Sequence, residues 1–298
     1  MSGALLVADA PFLLYRSYFA LPESITGADG SPVNALLGSV NNLLRVAAEV
    51  EPRAVVICFG AEEAPYRVEL FSGYHAQREA MPPALRRQFE AAPALYESLG
   101  WTVARSTELE ADDLLGAYAQ AEREAGGEAL LLTGDRDMYQ CISESVRVLY
   151  LKQGAAGFEK LDPAAVQERY GVRPDQVPDF IALRGDPSDG IPGAPGIGEK
   201  TAAKLLMRHG ALEQLLQAVG TAEAPREDHG ERPKLAVTLR EHAELLRAFR
   251  QIACLQPVTV TRPPDRPTDL RGGAVQAAAL GMGNLAGRLE RAGSLAEL

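Results

Sequence analysis

Two acids, Asp186 and Asp189, stand in the stretch Gly185–Ala203 on a loop stiffened by Pro187 and Pro192. Carboxylates so presented suit hard metal ions. Directly after them, Gly193-Ala194-Pro195-Gly196-Ile197-Gly198 is a tight glycine turn running into a helix that starts near Glu199. Glycine lets a backbone approach a phosphate closely, and a helix N-terminus points unpaired N–H groups at it. Lys200 and Lys204 bring cationic side chains to the same end, with Thr201 between them. One segment therefore offers oxygen ligands for cations and an amide nest for a phosphodiester backbone. Taken alone, it also fits a Gly/Pro-rich interdomain loop before an ordinary helix.

Further acids stand at the ends of apolar runs. Asp9 follows ALLVA, and Asp135 and Asp137 follow ALLL in Thr133-Gly134-Asp135-Arg136-Asp137. Side chains alternate along an extended chain, so the last two carboxylates fall on one side. Glu110-Ala111-Asp112-Asp113 opens a helix. Acids in a first turn complement the helix dipole, but three in four residues exceed what capping requires. Between Gly60 and Pro93, Arg67, Arg78, Arg86 and Arg87 interleave with Tyr66, Phe71, Tyr74 and His75. Cations alternating with aromatic faces suit single-stranded nucleic acid; a solvated, salt-bridged helix pair is the other reading.

Strands must hold these groups at one edge. Ala4–Ala8, Ala54–Phe59, Trp101–Ala104, Glu128–Leu132 and Val146–Leu151 read as strands, with a crossover helix over Val33–Glu49. That is the βαβ pattern of a parallel sheet, whose ligands gather at the C-terminal strand edge. Asp9, Glu110, Asp112, Asp135 and Asp137 then share that edge. From Pro163 the chain reads as helices, including a single one over Lys234–Ile252, with a polar loop at Gly220–Pro233. Pro257–Pro267 reads as an extended linker, and the Ala/Gly/Leu-rich end carries no clear signal.

The 298 residues carry a formal charge of −10 and are 46% hydrophobic. That balance excludes a generally sticky nucleic-acid binder unless clustered acids hold cations. No apolar run spans a bilayer, and the first residues lack the basic start of a signal peptide. Three well-separated cysteines, with no CxxC, give neither a zinc site nor a disulfide framework, so a reducing cytoplasm is expected.

The set of motifs resembles the 5′-nuclease family: flap endonucleases and the 5′→3′ exonuclease domain of bacterial DNA polymerase I. Asp9 with Tyr15-Arg16, Tyr66-Arg67 to Arg78, Leu109 to Asp113, Thr133 to Asp137 and Gly185 to Ala203 come in family order over about residues 1–255. No polymerase region follows, so a stand-alone form is expected. The resemblance implies a PIN-like catalytic α/β domain over 1–160 with a helical arch around 61–95. A helix–hairpin–helix domain over 161–255 and a linker and tail over 256–298 follow.

It further implies two divalent cations, Mg²⁺ or Mn²⁺. Asp9, Glu110 and Asp112 stand on the first ion's side, Asp135, Asp137, Asp186 and Asp189 on the second's, and Asp113 is an outer acid. Arg67, His75 and Arg78 are the implied catalytic cations. Tyr15, Arg16, Tyr74, Gly193, Gly196, Ile197, Gly198, Lys200, Thr201 and Lys204 are the implied DNA contacts, with K⁺ at the hairpin. The implied partners are DNA bearing a 5′ flap, nick or free end, and a separate DNA polymerase and ligase. Two departures imply slow cleavage: Gly60 stands where the family has an acid, and His75 where it has lysine. A milder one is Gly190 in place of asparagine. Restoring an acid at position 60 is expected to raise the rate. A flap- or junction-binding protein without cleavage stays open beside the nuclease, as does, at lower weight, an RNA-directed PIN-like nuclease.

Overall fold

The computed structural model describes residues 3–152, 157–220 and 233–295. Six strands form one sheet: β1 (Leu5–Asp9), β2 (Ala54–Phe59), β3 (Thr102–Arg105), β4 (Ala129–Leu132), β5 (Val146–Leu151) and β6 (Phe158–Leu161). Their lateral order is β3-β2-β1-β4-β5-β6. The first five are parallel, and β6 runs antiparallel to β5. The sequence reading found the parallel five and missed β6. Its four residues, FEKL, are half charged and lie at the sheet margin, so no apolar run marks them.

Alternation sorts the strand side chains onto two cores. Leu5, Val7, Val56, Leu131 and Val148 face one side, while Leu6, Ala8, Ile57, Leu132 and Leu149 face the other. The second side is covered by α1 (Ala10–Ala20), α2 (Asn34–Val50) and α4 (Pro83–Ser98). Helix α2 presents Leu36, Val40, Leu43 and Val46 at helical spacing. Between α2 and α4 lies the short α3 (Pro65–Leu70). The polar excursion read as ending at Pro93 instead continues as helix through that proline to Ser98.

On the first side α5 (Ala111–Glu124) packs on the sheet, and the same core runs on into the helices that follow. These are α6 (Pro163–Tyr170), α7 (Val177–Arg184), α8 (Glu199–His209), α9 (Leu212–Gly220), α10 (Pro233–Glu241) and α11 (Ala243–Ala253). The single helix expected over Lys234–Ile252 is broken at His242, whose φ of −104° and ψ of 8° leave the helical range. The polar loop read at Gly220–Pro233 lies, from 221 to 232, outside the described residues.

Residues 256–269 cross back as an extended strap, and α12 (Leu270–Ala279) and α13 (Gly283–Leu295) follow. This end of the chain is no loose tail. Ala274, Ala277, Met282, Leu285, Ala286 and Leu289 join the core with Leu95 and Leu99 of the α4 region. Trp101 also donates its indole N–H to Thr268 at 3.0 Å.

Candidate active site

Parallel strands end together, so their following loops meet at one edge. Asp9 ends β1 beside Cys58 of β2, and Ala8 pairs with Leu132 of β4. The Asp9 carboxylate caps α1, accepting from the Phe12 N–H at 2.9 Å and from the Thr133 hydroxyl at 2.8 Å. Thr133 also accepts from the Asp135 N–H at 3.0 Å, and Asp135 accepts from the Asp137 N–H at 2.8 Å. This chain of bonds fixes three acids across two strand ends.

The edge opens into a cavity of about 640 Å³. Asp9, Glu110, Asp112, Asp135, Asp137, Asp186 and Asp189 line it, as do Arg78, Arg86 and Arg136. Tyr15, Phe12, Met81 and Phe89 form a more apolar wall. Burial pushes Asp112 and Asp137 well above the usual carboxylate range, and their neighbours' charge adds to it. Asp135 is pushed up to about 7, first by burial and then by Asp189, Asp9 and Asp186, against the Asp137 N–H. Asp9 rises by burial too, against its two hydrogen bonds. Buried like charges of this kind are relieved by a bound cation.

The donors are all carboxylates, which suits hard cations over zinc or copper. Among the described residues, no three His, Cys, Asp or Glu side chains stand close enough together to form a ready-made ligand cage. The acids share a cavity wall instead. That fits an ion such as Mg²⁺, which keeps most of its waters and takes one or two carboxylates directly.

Several residues fall in places the sequence did not indicate. Asp113 is fully buried and is absent from the cavity wall. It accepts from Arg67 at 3.0 Å, from the Gln256 N–H at 2.9 Å and from the Glu110 N–H at 3.2 Å, so it closes the α5 capping box. Arg67, expected as a catalytic cation, is 3% exposed. Its guanidinium is spent on Asp113, on Glu110 at 2.8 Å and on the Ile252 carbonyl at 3.1 Å. Its Nη1 faces Glu110 as an ion pair out of line for a hydrogen bond.

Tyr74, expected against DNA, is 4% exposed and donates its hydroxyl to Glu110 at 3.0 Å. Glu110 also accepts from the Ala64 N–H at 2.8 Å, so the arrangement commits this acid to the protein more than to the cavity. Asp186 accepts from the Ser188 N–H and hydroxyl and pairs with Arg184 at 3.0 Å. His75 is buried, 3.2 Å from Asp189, and Arg78 lies at the rim, donating to the Glu62 carbonyl at 2.7 Å.

Arg16 is not on the cavity wall; it reaches the Lys152 carbonyl just past β5. At the glycine turn, Ile197 is 4% exposed and its N–H bonds the Ala194 carbonyl, so its side chain anchors the turn in the core. Gly193 is buried against Gly185. Gly196, at φ 78° with open space around it, Gly198, Lys200 and Lys204 are exposed, and Thr201 is half-buried. Gly198 caps α8 without a side-chain bond, leaving first-turn N–H groups free of side-chain partners at the surface.

At Gly60, where the resemblance implies an acid, the structure has no room for a side chain. A Cβ on Gly60 would lie 2.5 Å from the Glu110 Cα and closer still to the Glu110 carbonyl carbon and the Ala111 nitrogen. The start of α5 fills the space a side chain would need. The sequence reading also passed over Arg136, which sits between two of its chosen acids, carries an exposed side chain and lines the cavity. Arginine between two acids in an Asp-Arg-Asp run was the available signal.

Comparison with known proteins agrees with this geometry. Residues 4–171 match the family described as 5'-3' exonuclease, N-terminal resolvase-like domain, and residues 172–265 match 5'-3' exonuclease, C-terminal SAM fold. The chain is 36% identical over 288 residues to a 5'-3' exonuclease of Mycobacterium tuberculosis, covering 89% of each. It is 36% identical over 267 residues to DNA polymerase I of Mycobacterium leprae, covering 88% of this chain but 29% of that polymerase. Its fold is similar to that of the bacteriophage T5 flap endonuclease in a pseudo-enzyme–product complex with DNA and metal ions. That likeness has a TM-score of 0.67 at 17% identity, over 97% of this chain and 99% of the other. With both halves matched in order, the chain belongs to the 5'-3' exonuclease family of nucleases.

Proposed function

We propose that this chain hydrolyses phosphodiesters of DNA at or near a free 5′ end, with two divalent cations as cofactors. The observation that carries the reading is the cavity itself. Six carboxylates, Asp9, Asp112, Asp135, Asp137, Asp186 and Asp189, line one wall system with Arg78, Arg86 and Arg136 around it. A structural role needs no such concentration of buried like charge, which costs stability until cations neutralise it.

When bound, Mg²⁺ or Mn²⁺ supplies charge to the phosphoryl oxygens and an acidified water as nucleophile. Asp9 and Asp112 would hold one ion, and Asp135, Asp137 and Asp189 the other, with Asp186 fixing its loop. Arg78 and Arg136 hold the substrate phosphate by charge-assisted hydrogen bonds. Tyr15 and Phe89, edge to face at 5.7 Å, offer an apolar wall to an unpaired base. The glycine turn before α8, with Lys200 and Lys204, grips the duplex backbone without reading sequence. DNA with a 5′ flap or nick presents a free end and a duplex together, as this layout requires.

A second reading, a flap-binding protein with weakened cleavage, is favoured by the first ion's side. Gly60 brings no carboxylate there, and Glu110 is held by Tyr74, Ala64 and Arg67. A 5′-labelled flap duplex with Mg²⁺ or Mn²⁺ separates the two. The nuclease reading expects metal-dependent product that Asp135→Asn reduces by two orders of magnitude or more. Tight binding with no product supports the second reading, and product that persists in the mutant marks a contaminant.

A further inference from the structure

His75 follows α3 in a left-handed conformation, at φ 52°. An L residue keeps that conformation only where its surroundings hold it. Here the holders are explicit. The His75 N–H donates to the Asp189 carbonyl at 3.0 Å, and its ring Nε2 lies 3.2 Å from Asp189 Oδ1. The ring stacks on Tyr74 with centroids 3.9 Å apart, and Arg78 Nη1 lies 3.3 Å from Nδ1. If Nδ1 accepts from Arg78, Nε2–H donates to Asp189, and one tautomer fills both contacts.

The loop facing His75 is shaped to receive it. Gly190 has φ 74°, and a Cβ there would lie 2.5 Å from the Gly73 carbonyl oxygen. The side chain that Gly190 lacks would push residues 73–75 away. Histidine at 75 and glycine at 190 are therefore two halves of one contact, and Asp189 lies inside it. Among the described residues, Oδ2 of Asp189 has no hydrogen-bonding side chain on it.

We propose that His75 is a positioning residue for Asp189: it holds Oδ1 at the cavity wall and leaves Oδ2 for a divalent cation. The proposal rests on the divalent-cation reading above. Partners of this kind, bonded to a ligating carboxylate, set metal affinity by about 10- to 100-fold.

The test is Mn²⁺ binding without DNA, by calorimetry or by paramagnetic resonance of free Mn²⁺. Wild type is compared with His75→Ala, His75→Gln and Gly190→Ala, each checked for folding by circular dichroism. His75→Ala is expected to weaken Mn²⁺ binding about tenfold or more. His75→Gln, whose amide donates at the same reach and accepts from Arg78, is expected to stay within about threefold of wild type. Gly190→Ala is expected to weaken binding as His75→Ala does, and the double mutant to lose no more than the worse single mutant. Unchanged affinity in His75→Ala, or a loss in His75→Gln equal to that in His75→Ala, overturns the proposal while leaving the divalent-cation reading intact. A wild-type protein that binds no Mn²⁺ overturns that reading, and this proposal with it.

Discussion

A side chain at position 60 must pass through the Glu110–Ala111 backbone, which cannot swing aside as a flexible side chain does. Overpacking a buried contact of this kind costs about 1–3 kcal/mol. Gly60→Ala is therefore expected to lower stability by that amount in urea unfolding. Gly60→Asp is expected to lose at least as much and to gain no cleavage rate at low metal concentration. This reverses the expectation drawn from the family pattern alone, in which adding the acid restores a ligand. Sequence shows which residue is missing but not that the neighbouring helix has closed over its place. A Gly60→Asp protein that is as stable as wild type and faster would show that the start of α5 yields after all. Arg67 carries the same lesson with the opposite sign. The Arg/aromatic stretch fitted either nucleic acid or a salt-bridged helix pair, and the resemblance implied a catalytic cation; in the structure Arg67 lines the cavity while paired to two acids and a carbonyl.

Between elements, the strap over 256–269 is pinned by a charge network centred on the buried Arg53 and Glu122, which no motif announces. Arg53, just before β2, donates to Glu122 near the end of α5 at 3.0 Å and to Asp265 of the strap at 3.0 Å. Arg262 of the strap donates to the same Glu122 at 2.8 Å and 3.0 Å. Burial works to raise the Glu122 carboxyl, but the two guanidiniums prevail and hold it below its ordinary value of 4.5. A lowered folded-state value means the stabilisation is present above 4.5 and is lost as pH falls through the folded value. Glu122→Gln is expected to cost about 1–3 kcal/mol near neutral pH, because the buried Arg53 loses its buried carboxylate partner and keeps only Asp265 and the Pro263 carbonyl. The gap to wild type is expected to narrow below pH 4.5 in thermal melts, and a gap that stays constant to pH 3 would count against the network. The parallel strands were legible as short, mainly apolar runs; β1 also ends in Asp9 and β2 is followed by Gly60, whereas β3 and β5 each carry an arginine. The strap was legible as extended chain but not as a packed element, and the α12–α13 pair was not legible. The pair is rich in Ala and Gly, and its apolar face has meaning only against the α4 surface that receives it, while Val258 and Val260 of the strap pack on the core across the sheet.

If the whole molecule acts on DNA as proposed, a chain of net charge −10 has to bind a polyanion. The structure gives part of its positive charge a place of its own, apart from the acids. The carboxylates lie in the cavity at the strand edge, while Lys200 and Lys204 are exposed at the start of α8 beside the glycine turn. On the proposed reading, affinity for duplex is set at the turn, and the cavity adds to it only once its charge is neutralised. Each phosphate paired with a lysine contributes about 0.9 to the slope of log affinity against log salt. Replacing both lysines by alanine is expected to reduce that slope by about 1.8 and to weaken plain duplex and flap duplex alike. Asp135→Asn, measured in Ca²⁺ to prevent cleavage, is expected to leave the slope unchanged and to alter only the preference for flap over plain duplex. Fluorescence anisotropy between about 50 and 200 mM salt reads both, a range over which phosphate contacts change affinity strongly. A slope that the lysine pair leaves untouched would place the duplex elsewhere on the surface. The glycine turn would then be only a connector between α7 and α8.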